Sequence, residues 1–292
     1  MVNQHGHHHD ESCEHYLYHI DLSSSQARQV FKDVSFICMG GTEKRMHEFA
    51  ELMSEKCGHA VCDVSHGRYK SFKVGPVFIV NHGMGAPSIS ILLNELVLAL
   101  TLAKRDPKDI TMFRMGTCGG LGVPPGTVVV TSEALNEHLE PYHEVVVMGE
   151  TVRYPTHGSH SLVDELKLYK DVVVGKTMSA NCFYENQGRI ESAYSDNISE
   201  DEKMAFLNKL YDKGVRNIEM EGVAFSALAR RAHIRAAVVC VVLVDRLHMD
   251  AVGKVKLDDR PLEVVSDYIR KQMILHGSII HRPESNKTIA KL

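Results

Sequence analysis

The 292-residue sequence predicts a single α/β domain with a central mixed, mostly parallel β-sheet flanked by helices. Short β-branched apolar runs alternate with longer amphipathic runs, a pattern typical of strands and helices in turn around such a sheet. Apolar residues make up 44% of the chain, which is enough to bury one large core. Glycines gather where strands should end, and ligands of open α/β sheets bind at the carboxyl ends of the strands. We therefore expect the functional site in these glycine-containing loops.

The individual elements are predicted from local patterns in chain order. Six short apolar runs predict strands at residues 34–39, 77–81, 111–115, 127–131, 171–174 and 236–244. Five longer runs have apolar residues three and four apart and predict helices at residues 46–57, 88–103, 200–213, 220–233 and 262–275. No internal repeat or linker divides these elements, so we expect one domain.

Both ends of the chain are predicted to be tails outside this domain, which we place at residues 17–280. Residues 1–16 are polar and rich in histidine, and residues 281–292 form a C-terminal tail. The histidines could in principle bind a transition metal. No partner ligands at fixed spacing follow them, so we interpret the segment as a disordered tail.

Composition and charge exclude several classes of partner. The net charge is −4, with 33 Lys and Arg against 37 Asp and Glu, which predicts neither a nucleic-acid nor an anionic-membrane partner. The apolar runs are too short to cross a bilayer, and no secretory signal precedes them. The seven scattered cysteines lack the spacing of zinc sites or disulfide frameworks. We expect a cytoplasmic protein that acts on a small molecule.

The first glycine cluster is the Gly40-Gly41 pair between a predicted strand and a predicted helix, followed by Arg45. Free backbone N–H groups and the helix dipole at such a turn suit an anion. The segment lacks the third glycine of the dinucleotide fingerprint and the terminal Lys-Ser/Thr of the P-loop. A dinucleotide-dependent oxidoreductase is therefore disfavoured, and a plain turn is the alternative to an anion site.

A second cluster begins with Arg114 at the end of a predicted buried strand, followed by Thr117 and by Gly116, Gly119 and Gly120. Burying an arginine is costly unless an anion meets it. A phosphate would accept two guanidinium N–H groups together with the threonine hydroxyl and backbone N–H groups. The alternative is an arginine that is paired with a carboxylate.

The segment Phe183-Tyr184-Glu185-Asn186-Gln187-Gly188-Arg189 has the chemistry to bind a pyrimidine base. The amide of Gln187 can accept from the N3–H of uracil, while its NH₂ group and the Arg189 guanidinium donate to the ring carbonyls. Such donors bind the charge that grows on the departing base. Judged alone, the segment is equally consistent with a surface loop.

Two acids, Glu219 and Glu221, stand just before an apolar helix rich in small residues. One of these carboxylates could accept both hydroxyls of a ribose diol, since each carboxylate has two acceptor oxygens. The alternative is that both acids only complement the helix dipole.

Together, in this order and at these separations, the four segments resemble the nucleoside phosphorylase superfamily. The pattern Phe-Tyr-x-x-Gln-x-Arg is similar to that of its uridine phosphorylase branch, especially the animal enzymes. The resemblance runs from about Leu17 to the closing helix. It implies a nucleoside phosphorylase-like fold and a pentosyltransferase that converts uridine and phosphate reversibly to uracil and ribose 1-phosphate in pyrimidine salvage. Inorganic phosphate is then a co-substrate, and neither a metal nor another cofactor is implied.

The resemblance also implies a role for each site residue. Phosphate would be bound by Gly40, Gly41, Arg45, Arg68, Arg114 and Thr117. The base would be bound by Gly119, Phe183, Gln187 and Arg189. The ribose would be bound by His19, Thr117, Met220 and Glu221. Among these, the residues with catalytic roles would be Arg114, Gln187, Arg189 and Glu221. A second subunit would supply His19 and Arg68, which implies a homodimer with shared active sites and leaves a higher oligomer open.

Three positions depart from the family pattern. Cys118 stands where relatives usually have Ser or Thr, which leaves only a weaker S–H donor there. Tyr69 stands where some bacterial relatives have a potassium-binding glutamate, so that ion site is not expected. Asp245 stands where uridine phosphorylases usually have Asn, and as an acid it could protonate a purine N7. If Asp245 does not act as a proton donor, it could simply pair with neighbouring Arg246.

These departures leave two alternatives to a uridine phosphorylase. Asp245 is the argument for a purine nucleoside phosphorylase of the same superfamily, although a purine site would not use Gln187 and Arg189 in this way. Cys118 is the argument for a catalytically silent homologue that binds nucleosides. The other expected phosphate and uracil residues are present, which favours activity.

Overall fold

The computed structural model describes residues 16–194, 198–248 and 259–277. All but the last residue of the predicted histidine-rich tail, and the whole predicted C-terminal tail, lie outside the described residues. The strands are β1 (Tyr16–Leu17), β2 (Leu22–Ser23), β3 (Phe36–Gly40), β4 (Cys62–Asp63), β5 (Ser71–Val74), β6 (Val77–Asn81), β7 (Thr111–Gly120), β8 (Val128–Leu135), β9 (Tyr142–Val147), β10 (Glu150–Pro155), β11 (Val172–Ser179), β12 (Val215–Glu219) and β13 (Arg235–Asp245). The helices are α1 (Ser24–Phe31), α2 (Glu43–Cys57), α3 (Ala86–Leu102), α4 (His160–Leu166), α5 (Glu200–Asp212), α6 (Gly222–Arg231) and α7 (Arg260–Leu275).

Nine strands form one mixed sheet in the order β12-β11-β8-β13-β7-β3-β6-β5-β4. Five of its ladders are parallel and four are antiparallel, so the predicted mixed, mostly parallel sheet is confirmed. β12 also pairs with β7, which closes β7, β13, β8, β11 and β12 into a ring. The short pairs β1–β2 and β9–β10 form two separate hairpins.

Helices cover both faces of this sheet, as expected for the fold class. On one face α1, α3 and α6 pack through buried side chains such as Phe31, Leu96 and Phe225. On the other face α2, α4 and α7 pack through side chains such as Phe49 and Leu162. Helix α5 covers one part of the ring through a third apolar cluster. No helix within the described residues is long and apolar enough to cross a membrane.

Every predicted strand and helix is present, with ends that shift by a few residues. The largest difference is β7, which continues to Gly120 because Gly119 and Gly120 pair with both β13 and β12. The sequence did not predict β12, whose Asn217 is a polar residue at a fully buried position. Its side-chain carbonyl accepts a hydrogen bond from the Thr177 hydroxyl at 2.6 Å, which satisfies the buried amide oxygen.

Candidate active site

A cavity of about 250 Å³ opens at the carboxyl ends of the central strands. The predicted site residues that line it are Gly41, Arg45, Arg114, Thr117, Gly119, Phe183, Gln187, Arg189, Met220 and Glu221. The predicted residues that do not line it are His19, Gly40, Arg68 and Asp245. A larger groove of about 650 Å³ runs along residues 122–127 and contains none of the predicted site residues.

Arg114 lies on β7 at the floor of the cavity, and only 4% of its surface is exposed. Its Nη1 contacts the Glu219 carboxylate at 2.8 Å and donates to the Cys240 sulfur, while Nη2 is paired with Glu221. Burial disfavours the charged guanidinium, but these two carboxylates outweigh that cost and raise the pKa of Arg114 above its ordinary value. Arg114 therefore has the carboxylate partners that were the alternative to a phosphate.

Glu219 is a site residue whose role the sequence did not reveal. Its carboxylate accepts from the backbone N–H of Glu221 at 3.0 Å and of Gly222 at 2.9 Å, and also from the Ser179 hydroxyl. It thereby fixes the start of α6 and the orientation of Arg114 together. The sequence showed a pair of acids before α6, Glu219 and Glu221. The pattern alone did not show which of them anchors α6 and Arg114 and which is available to a ligand.

The first glycine loop leads from β3 into α2. Gly41 and Arg45 line the cavity, and the Thr42 hydroxyl caps α2 by accepting from the Arg45 backbone N–H at 3.4 Å. Gly40 lies behind the cavity wall instead, where a side chain would collide with Met46. The structure therefore brings the helix start to the cavity and gives Gly40 a packing role.

The predicted pyrimidine segment forms a compact turn that also lines the cavity. Gln187 is 3% exposed, and the Arg189 guanidinium lies 4.5 Å from the centre of the Phe183 ring. Gly188 has a φ of +65°, which favours glycine and allows the chain to reverse between Gln187 and Arg189. The amide, the guanidinium and the aromatic ring therefore line one cavity.

Arg246 anchors this turn from behind, a role that the sequence did not reveal. Its buried guanidinium donates to the backbone carbonyls of Gln187 at 2.9 Å and Gly188 at 3.4 Å. Its side chain passes so close to Gly119 that an added Cβ would lie 2.9 Å from the Arg246 Cδ. The glycine at position 119 is therefore required by packing as well as by its place in the cavity.

Asp245 does not pair with Arg246. Its carboxylate accepts from the Gly122 backbone N–H at 3.0 Å and lies 2.8 Å from the ring nitrogen Nδ1 of His248. The Arg246 guanidinium instead donates to two carbonyls of the pyrimidine turn. The suggested Asp245–Arg246 pair is therefore wrong.

Cys118 lines the cavity, but its S–H group donates to the Val241 carbonyl at 3.4 Å. Burial raises the pKa of this thiol well above its ordinary value, so the neutral S–H form is favoured. The thiol is therefore an uncharged part of the cavity wall.

His82 is a further buried ionisable group, at the turn between β6 and α3. It is fully buried, and its carbonyl accepts from the Ser88 hydroxyl at 2.6 Å. Burial, followed by the charges of Arg114 and Arg45, holds the pKa of His82 well below its ordinary value. A neutral imidazole therefore lies next to the two arginines.

His19 and Arg68 lie together, away from the cavity of their own chain. The Arg68 backbone N–H donates to the His19 carbonyl at 2.8 Å, and Gly67 allows this contact because a side chain there would collide with the same carbonyl. Arg68 is exposed to solvent. The structure therefore groups the two residues with each other and not with the rest of the predicted site.

The described part of the chain contains no cluster of three or more His, Cys, Asp or Glu residues that could bind a metal ion. The chemistry of the cavity comes instead from its arginines, carboxylates and amide.

The sequence and the fold are similar to those of known proteins. The phosphorylase superfamily model matches residues 35–266. Uridine phosphorylase 2 from Mus musculus is 38% identical to the chain, over 89% of this chain and 87% of that protein. Inactive uridine phosphorylase B from Schistosoma mansoni is 37% identical, over 93% and 96%. The crystal structure of S. mansoni uridine phosphorylase in complex with thymidine superposes with a TM-score of 0.87 at 36% identity, covering 97% of this chain and 100% of that one.

Proposed function

The chain belongs to the phosphorylase superfamily and, within it, to the uridine phosphorylases, and we propose that its cavity cleaves uridine with inorganic phosphate. The products are uracil and ribose 1-phosphate, so the enzyme is a pentosyltransferase of pyrimidine salvage. The observation that carries this proposal is the meeting of Arg45 and Arg114 with Gln187 and Arg189 in one cavity. The first pair suits phosphate and the second pair suits a pyrimidine.

Phosphate binds at the Gly41 end of the cavity in this proposal. The N-terminus of α2 supplies backbone N–H groups and a favourable dipole, and Arg45 and Thr117 supply side-chain donors. Arg114 keeps donors for the anion because a guanidinium has five N–H groups, and Glu219, Glu221 and Cys240 do not occupy all of them. The carboxylates of Glu219 and Glu221 hold Arg114 in place while phosphate binds.

Ribose lies between the phosphate and the base, on Met220. The Glu221 carboxylate accepts from the Gly85 backbone N–H at 2.6 Å and retains lone pairs for the ribose hydroxyls. Phosphate attacks C1′ while the bond to the base breaks, and its negative charge stabilises the cationic sugar. Gln187 and Arg189 bind the charge that develops on the uracil carbonyls, so the base departs without a strong acid. The reaction needs no cofactor, because phosphate itself is the nucleophile.

Each active site is completed by a second subunit in this proposal, so the working unit is a homodimer and higher oligomers remain compatible. The support is that His19 and Arg68 contact each other outside their own cavity. In this proposal they contact the ribose and phosphate of a neighbouring subunit. We place the enzyme in the cytoplasm and its domain at residues 17–280.

Residues of the same region argue against the two alternatives, a purine nucleoside phosphorylase and a catalytically silent homologue. A purine nucleoside phosphorylase would use Asp245 as an acid, but this carboxylate lies outside the cavity lining and accepts a backbone N–H. A silent homologue would resemble the S. mansoni protein that is named inactive. The argument against an inactive homologue is that this chain has both the arginines and the Gln187–Arg189 pair in one cavity.

Incubation with uridine, inosine or thymidine, each with and without phosphate, tests the proposed function. We expect free uracil from uridine only when phosphate is present, and little hypoxanthine from inosine. Release at the same rate without phosphate would indicate a hydrolase. Faster cleavage of inosine would favour the purine alternative, and no base release from any nucleoside would indicate a silent homologue.

A further inference from the structure

Glu95, in the middle of α3, binds the N-terminal hairpin through four contacts. Its Oε1 lies 2.7 Å from the ring nitrogen Nδ1 of His19. Its two oxygens accept from the His19 backbone N–H at 2.9 and 3.0 Å, and Oε2 also accepts from the Ile20 backbone N–H at 2.8 Å. The Glu95 side chain is 14% exposed, so these are sheltered charge-assisted hydrogen bonds.

The contact with Glu95 fixes which nitrogen of His19 carries the proton. A carboxylate only accepts hydrogen bonds, so Nδ1 must be the donor, and the neutral ring presents Nε2 as an acceptor on its other side. The ring remains 34% exposed. One carboxylate therefore sets the backbone, the ring orientation and the tautomer of an accessible histidine.

The same carboxylate also supports Arg68 indirectly. The His19 carbonyl accepts from the Arg68 backbone N–H, so a hairpin held by Glu95 also holds the loop that carries Arg68. Neither Glu95, His19 nor Arg68 lines the cavity of this chain. A change at Glu95 should therefore alter the active site of another subunit.

We propose that Glu95 is a positioning residue for the active site of the neighbouring subunit, where it presents His19 in the Nδ1–H tautomer. This inference rests on the proposed shared site. Glu95 does not touch the substrate, and it acts through His19. Glu95→Gln replaces one acceptor oxygen with a donor that faces backbone N–H groups, so the ring and the hairpin lose their fixed orientation.

A heterodimer experiment tests this proposal. We expect kcat/KM for uridine of the Glu95→Gln homodimer to fall about 10- to 100-fold, the cost of a misplaced site group. Differently tagged Glu95→Gln and Arg114→Ala subunits are then co-expressed and the heterodimer is isolated by both tags. Its one complete site combines the Arg114 of the first subunit with the His19 and Glu95 of the second. Because one of its two sites is complete, we expect this heterodimer to have about half of the wild-type activity.

A heterodimer that keeps only the low activity of Glu95→Gln would overturn the proposal, because Glu95 would then act within its own subunit. A parallel heterodimer of His19→Ala with Arg114→Ala tests the shared site itself. If that pair recovers activity and the Glu95→Gln pair does not, only the role of Glu95 fails. If neither recovers, the shared site fails as well.

Two further variants control for the nonspecific loss of a Glu–His contact and for misfolding of Glu95→Gln. Glu51→Gln on α2 removes another contact between a glutamate and a histidine, with His47 at 3.7 Å, but on an exposed surface, and it should leave activity unchanged. Glu95→Asp keeps the charge, shortens the reach and tests the same recovery if Glu95→Gln folds poorly. Nitrogen-15 NMR of His19 should show a protonated Nδ1 in the wild type and a mixture of tautomers in Glu95→Gln.

Discussion

Arg114 combines a structural and a chemical role at one buried position. It is paired with Glu219 and Glu221, and removing one partner of a buried ion pair costs roughly 3–5 kcal/mol of stability. Loss of activity in an Arg114 variant therefore does not isolate phosphate binding. Gln187 is a better probe, because its side chain is neutral and its turn is held mainly by backbone carbonyls that bind Arg246.

Gln187→Leu should nearly abolish uridine cleavage. The apolar side chain leaves the N3–H and a carbonyl of the base unpaired in a closed pocket, at a cost on the order of 1–3 kcal/mol each. Together these losses predict a decrease of roughly a hundredfold or more in kcat/KM for uridine, measured by steady-state uracil release.

Phosphate binding provides the internal control for this variant. The residues proposed to bind phosphate lie on other elements, with Arg45 in α2 and Thr117 in β7. Phosphate should therefore raise the melting temperature of Gln187→Leu as much as that of the parent protein. Near-normal uridine turnover in the variant would show that this turn does not bind the base.

At the scale of elements, the turn from β6 to α3 keeps an imidazole neutral beside two arginines. The pKa of His82 is lowered by burial and then by Arg114 and Arg45, so the folded protein binds this proton less well than the unfolded chain. The neutral form of His82 is therefore compatible with full stability above the pKa of an unfolded histidine, about 6.5. As the pH falls below that value, the free energy of unfolding decreases.

His82→Gln should make the protein less sensitive to acid. The folded wild type takes up this proton less readily than the unfolded chain, so lowering the pH from 7.5 to 5.5 should reduce the unfolding free energy of the wild type more than that of the variant. Urea unfolding at both pH values and one fixed protein concentration measures this difference. His47→Gln on the exposed face of α2 serves as the control and should behave like the wild type. Equal acid sensitivity of His82→Gln and the wild type would contradict a neutral buried His82.

The elements also show how far the sequence alone could lead. The base-binding role of the Phe183–Arg189 segment stays a prediction. The periodic apolar runs of α3 and β13 carried local signals, and both of these elements were predicted. The roles of Glu219 and Arg246 were not, because their partners lie on other elements and become neighbours only after folding. The strand β12 was missed for the same reason, since the side-chain oxygen of its polar Asn217 accepts a hydrogen bond from a residue of β11.

For the whole molecule, sheet closure brings the distant parts of the site together. Because β12 pairs with both β11 and β7, the glycines at the end of β7 lie beside the residues that precede α6. Arg114 and Glu221, more than a hundred residues apart, thereby meet at one cavity. A sheet that remained open at β12 would separate the phosphate side of the site from its ribose side.

The central claim is that this cavity transfers a ribosyl group from uracil to phosphate. Phosphorus-31 NMR of the purified protein with uridine and inorganic phosphate tests it most directly, with uracil measured in the same sample. We expect ribose 1-phosphate to appear in equal amounts with uracil while inorganic phosphate falls by the same amount. Uracil formed together with free ribose, while the phosphate signal stays constant, would contradict the claim.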